Sequence, residues 1–187
     1  MSAVRGQNGL NGAGGSIGGC RGVGRNYERI TREDLGHLAE IARLDRKDLF
    51  ARKPRYRVLE EGLVCVALCQ GAALHFVDGE NGVKDFDLWT FYAARPGHPI
   101  FPWRRRVSRE FGDARFGRPP EKPAFVGRRV DLLGRSIEVG AQTDPTVILR
   151  GYLSEGRTGS ARALAQKAAV LLEPSERLGT VVWTPER

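Results

Sequence analysis

One stretch constrains this chain more than any other: an apolar run, a glycine turn, a short helix, a turn-rich loop, and a strand carrying two carboxylates. Val64-Cys65-Val66-Ala67-Leu68 is the kind of short apolar run that a buried central strand shows. Gly71 stops it, and Ala72 to Val77 is apolar and long enough for about two helical turns. Asp78-Gly79-Glu80-Asn81-Gly82 is dense in turn formers. Lys84 to Tyr92 then has strand composition, with aromatics, Leu and Thr. Residues i and i+2 of a strand share a face, so Asp85 and Asp87 aim together while Phe86 and Leu88 bury on the other side. Two like charges one strand step apart repel, and a divalent cation is the usual way to make such a pair favourable. An acidic strand end facing water is the alternative reading.

Hydrophobic strand, Gly followed by a small residue, about a dozen residues, then Asp-hydrophobic-Asp-hydrophobic: this order resembles the signature of the DNA-polymerase-β-like nucleotidyltransferase superfamily. Gly71-Ala72 and Asp85-Phe86-Asp87-Leu88 carry the resemblance, which runs from about Leu63 to Leu133. It implies a glycine turn that opens a helix toward a nucleoside triphosphate, with Gly71 and Ala72 at the nucleotide. It implies an Asp85/Asp87 pair that holds Mg²⁺ or Mn²⁺, and a third carboxylate from a later strand. The chain departs from the family at Ala72, where Ser or Gly is preferred; Ala keeps the backbone N–H and loses a hydroxyl.

For the third carboxylate there are two candidates. Val130-Asp131-Leu132 sets an acid between apolar neighbours on the next strand candidate, Arg128 to Ile137. Ile137-Glu138-Val139 repeats the pattern seven residues on, facing the opposite way on one continuous strand. The shorter Asp131 on the more apolar strand is preferred and Glu138 is the fallback.

Around this centre the chain reads as one domain, 28–187, preceded by a Gly-rich tail, 1–27, expected to be disordered. The tail has no preceding strand and no Gly-Lys-Ser/Thr ending, so its glycines are not a phosphate loop. Thr31 and Asp34 have the form of a capping box, and Leu35, Leu38, Ile41, Ala42, Leu44 and Leu49 form the stripe of a helix that stops at Lys53-Pro54. Asp144-Pro145 starts another helix that Gly156 closes. A further helix is expected from about Ser160 to Leu172, with Gly159-Ser160 at its N-cap, and Leu178 to Trp183 as a closing strand. The fold class is α/β of the α+β type: a small mixed β-sheet with helices packed on one face.

The net charge of +8 favours anionic partners. Part of it sits in a basic segment, 103–118, where Arg104, Arg105 and Arg106 are candidate phosphate neighbours, since guanidinium bonds phosphate in bidentate fashion. Cys20, Cys65 and Cys69 are an odd count without metal-ligand pairing, which suits a reducing cytoplasm. No apolar run is long enough for a membrane span. The expected activity is metal-dependent transfer of a nucleoside monophosphate from an NTP, ATP among the possibilities, with release of pyrophosphate. The alternatives are a catalytically inactive module of the same fold and an Arg-rich nucleic-acid-binding protein.

Overall fold

The computed structural model describes residues 28–80, 82–101, 107–113, 115–116 and 126–185. The glycine-rich tail and Arg104, Arg105 and Arg106 lie outside the described residues.

Helix α1 (Arg32–Arg52) begins as its sequence dictates. The Asp34 amide donates to Thr31 Oγ1 (3.2 Å) and the Thr31 amide donates to Asp34 Oδ2 (2.8 Å), so two orphan helix donors are satisfied reciprocally. Leu35, Leu38, Ile41, Ala42 and Leu49 are buried. Leu44 is exposed, because the 3.6-residue period brings Asp45 to the buried side instead. Arg109 approaches the buried Asp45 carboxylate at 3.7 Å.

After a 3₁₀ stretch, Pro54–Gly62, the chain enters β1 (Leu63–Cys69), then α2 (Gln70–Asp78), β2 (Phe86–Ala93), β3 (Ser108–Glu110) and β4 (Arg129–Ile137). Helices α3 (Pro145–Glu155) and α4 (Gly159–Ala165), strand β5 (Ala168–Glu173) and strand β6 (Val181–Trp183) complete it. The six strands form one mixed sheet in the order β3-β4-β2-β1-β5-β6, parallel between β2 and β4 and antiparallel elsewhere. The mixed α+β class is as expected from the sequence.

Two details differ from the sequence reading. The run after α4 is a strand: Ala168, Val170 and Leu172 bury on one side and Ala169 and Leu171 on the other, and β5 pairs with β1. A short apolar run carries no period that separates a buried strand from a buried helix. Helices also cover both faces of the sheet. Val66 and Leu68 of β1 meet α1 and α2, whereas Cys65, Ala67 and Cys69 meet Leu149 and Leu153 of α3 and Leu164 of α4. A strand apolar on both alternations needs cover on both sides.

Among the described residues, no helix is long and apolar enough to cross a membrane.

Candidate active site at one end of the sheet

The sheet brings the predicted acids together at the starts of β2 and β4. Asp87 and Asp131 are register partners across these parallel strands, so their side chains share a face. Asp85 precedes β2 by one residue and is two before Asp87, and Arg129 is two before Asp131. All four therefore belong to the same face. Asp131 is buried; Asp85 and Asp87 are half-buried. Strand β1 runs the other way, and its last residue, Cys69, pairs with Asp87. The glycine turn and the start of α2 thus abut the carboxylates.

Gln70 makes that turn with a positive φ of 64°, and its amide Nε2 donates to the Ala163 carbonyl at 2.9 Å, tying the turn to α4. No side chain caps the N-terminus of α2. Ala72 is buried in the core cluster that contains Leu68 and Phe86, so its methyl belongs to the core. Lys167, just before β5, stands over the turn: its Nζ lies 3.9 Å from where a Cβ on Gly71 would be.

A guanidinium sits among the acids. Arg129 donates to Asp131 Oδ2 at 2.6 Å and lies 3.7 Å from Asp85 Oδ2. Its pKa is raised by the hydrogen bond to Asp131 first, then by the charges of Asp131, Asp85 and Asp87, against a small opposing effect of burial. Ser108 Oγ donates to the other oxygen of Asp131 at 3.0 Å. Among the described residues, no three His, Cys, Asp or Glu side chains stand as a formed metal cage. Two carboxylates, Asp131 and Asp85, converge on the Arg129 guanidinium, and carboxylate oxygens are the donors that hard divalent cations take.

Two cavities meet at Asp87. The smaller, about 450 Å³, is lined by Gly71, Lys84, Asp85, Asp87 and Lys167. The larger, about 710 Å³, runs from Asp87 along Trp89 and Leu133 to Arg135 and Ser160. Gln70 and Asp87 line both.

The remaining candidates fall elsewhere. Glu138 follows β4 and its side chain is 90% exposed, 4.0 Å from Arg157. In the described part of the basic segment, Arg109 pairs with Asp48 at 2.5 Å, while Arg115 pairs with Glu28 at 2.9 Å and with Asp34. These two arginines fasten the segment to α1 and to the residues before it. Thr158, one residue before the expected pair, caps α4 by accepting from the Ala161 amide.

Sequence reasoning missed Arg129, Lys84, Lys167 and Arg135. Arg129 was within reach, since the i, i+2 rule that joins Asp85 to Asp87 also joins it to Asp131. Lys167 was not, because its position follows from β5, and that segment reads equally as a helix.

No family model matches the chain, and neither a curated protein nor a solved structure does.

Proposed function

We propose that the chain is a metal-dependent nucleotidyltransferase, moving a nucleoside monophosphate from an NTP to a hydroxyl acceptor with release of pyrophosphate. The observation that carries this reading is the Asp87–Asp131 register pair, with Asp85 on the same face and an uncapped helix N-terminus beside it. Asp85, Asp87 and Asp131 would hold Mg²⁺ or Mn²⁺. A divalent cation bound there offsets charge on the triphosphate and lowers the pKa of the attacking hydroxyl.

The chain's own residues do the rest. Lys84 and Lys167 neutralise the phosphate tail as mobile point charges. The first-turn amides of α2 donate to phosphate oxygens, and Gly71 leaves the approach bare. The loss of a Ser or Gly at position 72 costs this arrangement little, because the side chain there belongs to the core. Buried, free Cys65 and Cys69, the first with its thiol pKa pushed up by burial, suit a reducing cytoplasm.

The test is pyrophosphate release from ATP, CTP, GTP and UTP with Mg²⁺ or Mn²⁺ and a panel of hydroxyl acceptors. Release that needs metal and vanishes in Asp87→Asn supports the reading. Release that persists in Asp87→Asn contradicts it.

A second reading has its own support. Arg129 already neutralises Asp85 and Asp131, as it would in a module of this fold that binds without catalysing. Divalent metal that fails to compete with the guanidinium, at any nucleotide concentration, would favour that module. Arg109 and Arg115 are held by acids, which removes them from the phosphate contacts of the nucleic-acid reading. That reading now rests on Arg104, Arg105, Arg106 and Arg118, which lie outside the described residues.

A further inference from the structure

The larger cavity differs in kind from the lysine-lined one. Trp89, Leu133, Ala163 and Leu164 give it apolar walls, and Arg135 is the one cationic residue among those lining it. Arg135 is half-buried, and among the described residues no carboxylate or carbonyl pairs with its guanidinium. A cation partly withdrawn from water without a counter-charge is costly, and an anionic guest would recover that cost through a bidentate contact.

We propose that this cavity binds the acceptor, and that the acceptor is a small organic anion with an apolar body and a free hydroxyl. The proposal rests on the nucleotidyl-transfer reading and adds the substrate class. Along β2, Lys84 and Asp85 lie before Asp87, while Trp89 lies two residues beyond it on the same face, about 7 Å on. With the triphosphate tail in the lysine-lined cavity, pyrophosphate departs on that side. In-line displacement then requires the attacking oxygen to arrive from the opposite side, where the Trp89 cavity opens. The acceptor oxygen forms the new bond to the α-phosphorus. The bond to the pyrophosphate oxygen breaks with its electron pair, and the hydroxyl proton is released to water. At about 710 Å³ the cavity has the size of a small-molecule pocket rather than a strand-binding groove.

The experiment uses the full chain without metal or nucleotide, titrated by ligand-observed NMR with three probes. These are 4-hydroxybenzoate, its neutral counterpart 4-hydroxybenzamide, and adenosine. The anion should bind at least tenfold more tightly than the amide, and Arg135→Gln should erase that preference. Ala163→Phe, which fills the cavity from an exposed position on α4, should abolish binding without changing the melting temperature. Equal binding of anion and amide, binding of neither, an unchanged preference in Arg135→Gln, or displacement of the probe by adenosine would each overturn the proposal. Nucleotide binding is measured separately with metal and Asp85→Asn/Asp87→Asn. Nucleotide binding that is missing from the wild type or unchanged in the double variant, with probe binding intact, strikes the transfer reading. Nucleotide binding lost in the double variant, with no probe binding by the wild type, strikes the acceptor pocket alone.

Discussion

Asp87 and Asp131 face each other in register across the parallel strands β2 and β4. Neighbouring strands are about 4.8 Å apart, a spacing at which two carboxylates on one face repel. The fold answers with Arg129, bonded to Asp131 at 2.6 Å and close to Asp85. The charge of this cluster is thus met by a cation that belongs to the protein, and on the proposed reading its behaviour toward metal follows from how firmly Arg129 holds.

Removing that cation exposes the acids. Arg129→Gln should tighten Mn²⁺ binding in the absence of nucleotide by about tenfold, the factor that 1.4 kcal/mol represents. Asp131→Asn in the same background should abolish the gain. Paramagnetic titration of free Mn²⁺ measures both; unchanged or weaker binding in Arg129→Gln would show that the guanidinium is not competing for the site.

Lys167 stands over the Gly71 turn and lines the cavity of Asp85 and Asp87. A charge-assisted contact to phosphate contributes about 1.5–3 kcal/mol. Lys167→Ala should weaken nucleotide triphosphate binding by about ten- to a hundredfold and nucleoside binding hardly at all. Comparing ATP with adenosine by calorimetry separates the two effects.

The core near the site has little slack. Phe101 packs on Gly134 of β4 so closely that a Cβ at Gly134 would overlap the Cε1 and Cδ1 edge of the Phe101 ring. Phe101 is itself held by Tyr56 and Tyr92, at ring-centroid distances of 5.5 and 5.2 Å. Gly134→Ala should cost about 1–3 kcal/mol by overpacking, read as a lower urea midpoint at unchanged slope.

Asp144 caps α3 by accepting from the Thr146 amide at 2.8 Å and the Val147 amide at 3.3 Å. Those two bonds lower its pKa below the ordinary 3.8, with Arg177 adding its charge. A carboxyl whose folded pKa is depressed stabilises the fold above its unfolded value and loses that contribution as pH falls through the folded one. Asp144→Ala should therefore melt lower than wild type at pH 6, with the gap narrowing below pH 3.8 as the wild-type cap protonates. Melting curves across that range check the sign.

Much of this was legible before any coordinates. The order of apolar strand, glycine turn, helix and Asp-x-Asp strand survives in β1, α2 and β2, because each step has its own local signal. Thr31 with Asp34 and Asp144 with Pro145 marked helix starts through side-chain chemistry that acts within a few residues. The pairing of Asp87 with Asp131 was only half legible. The sequence prefers Asp131 over Glu138 on its shorter side chain and more apolar flanks, but its place opposite Asp87 depends on the register of two strands with 35 residues between them. Strand β5 misled because its apolar run lacks a period, and with it went the position of Lys167. Arg109 belongs to the basic segment 103–118 and pairs with Asp48; sequence shows a charge but not the partner that satisfies it.

The most direct test of the account is calorimetric titration of Mg²⁺ and Mn²⁺ in the presence of ATP, CTP, GTP and UTP in turn, with wild type beside Asp85→Asn/Asp87→Asn. The account predicts metal-dependent binding of at least one nucleotide by the wild type, lost in the double variant while its melting temperature is retained. Indistinguishable behaviour of the two proteins, or no binding by either, would contradict it.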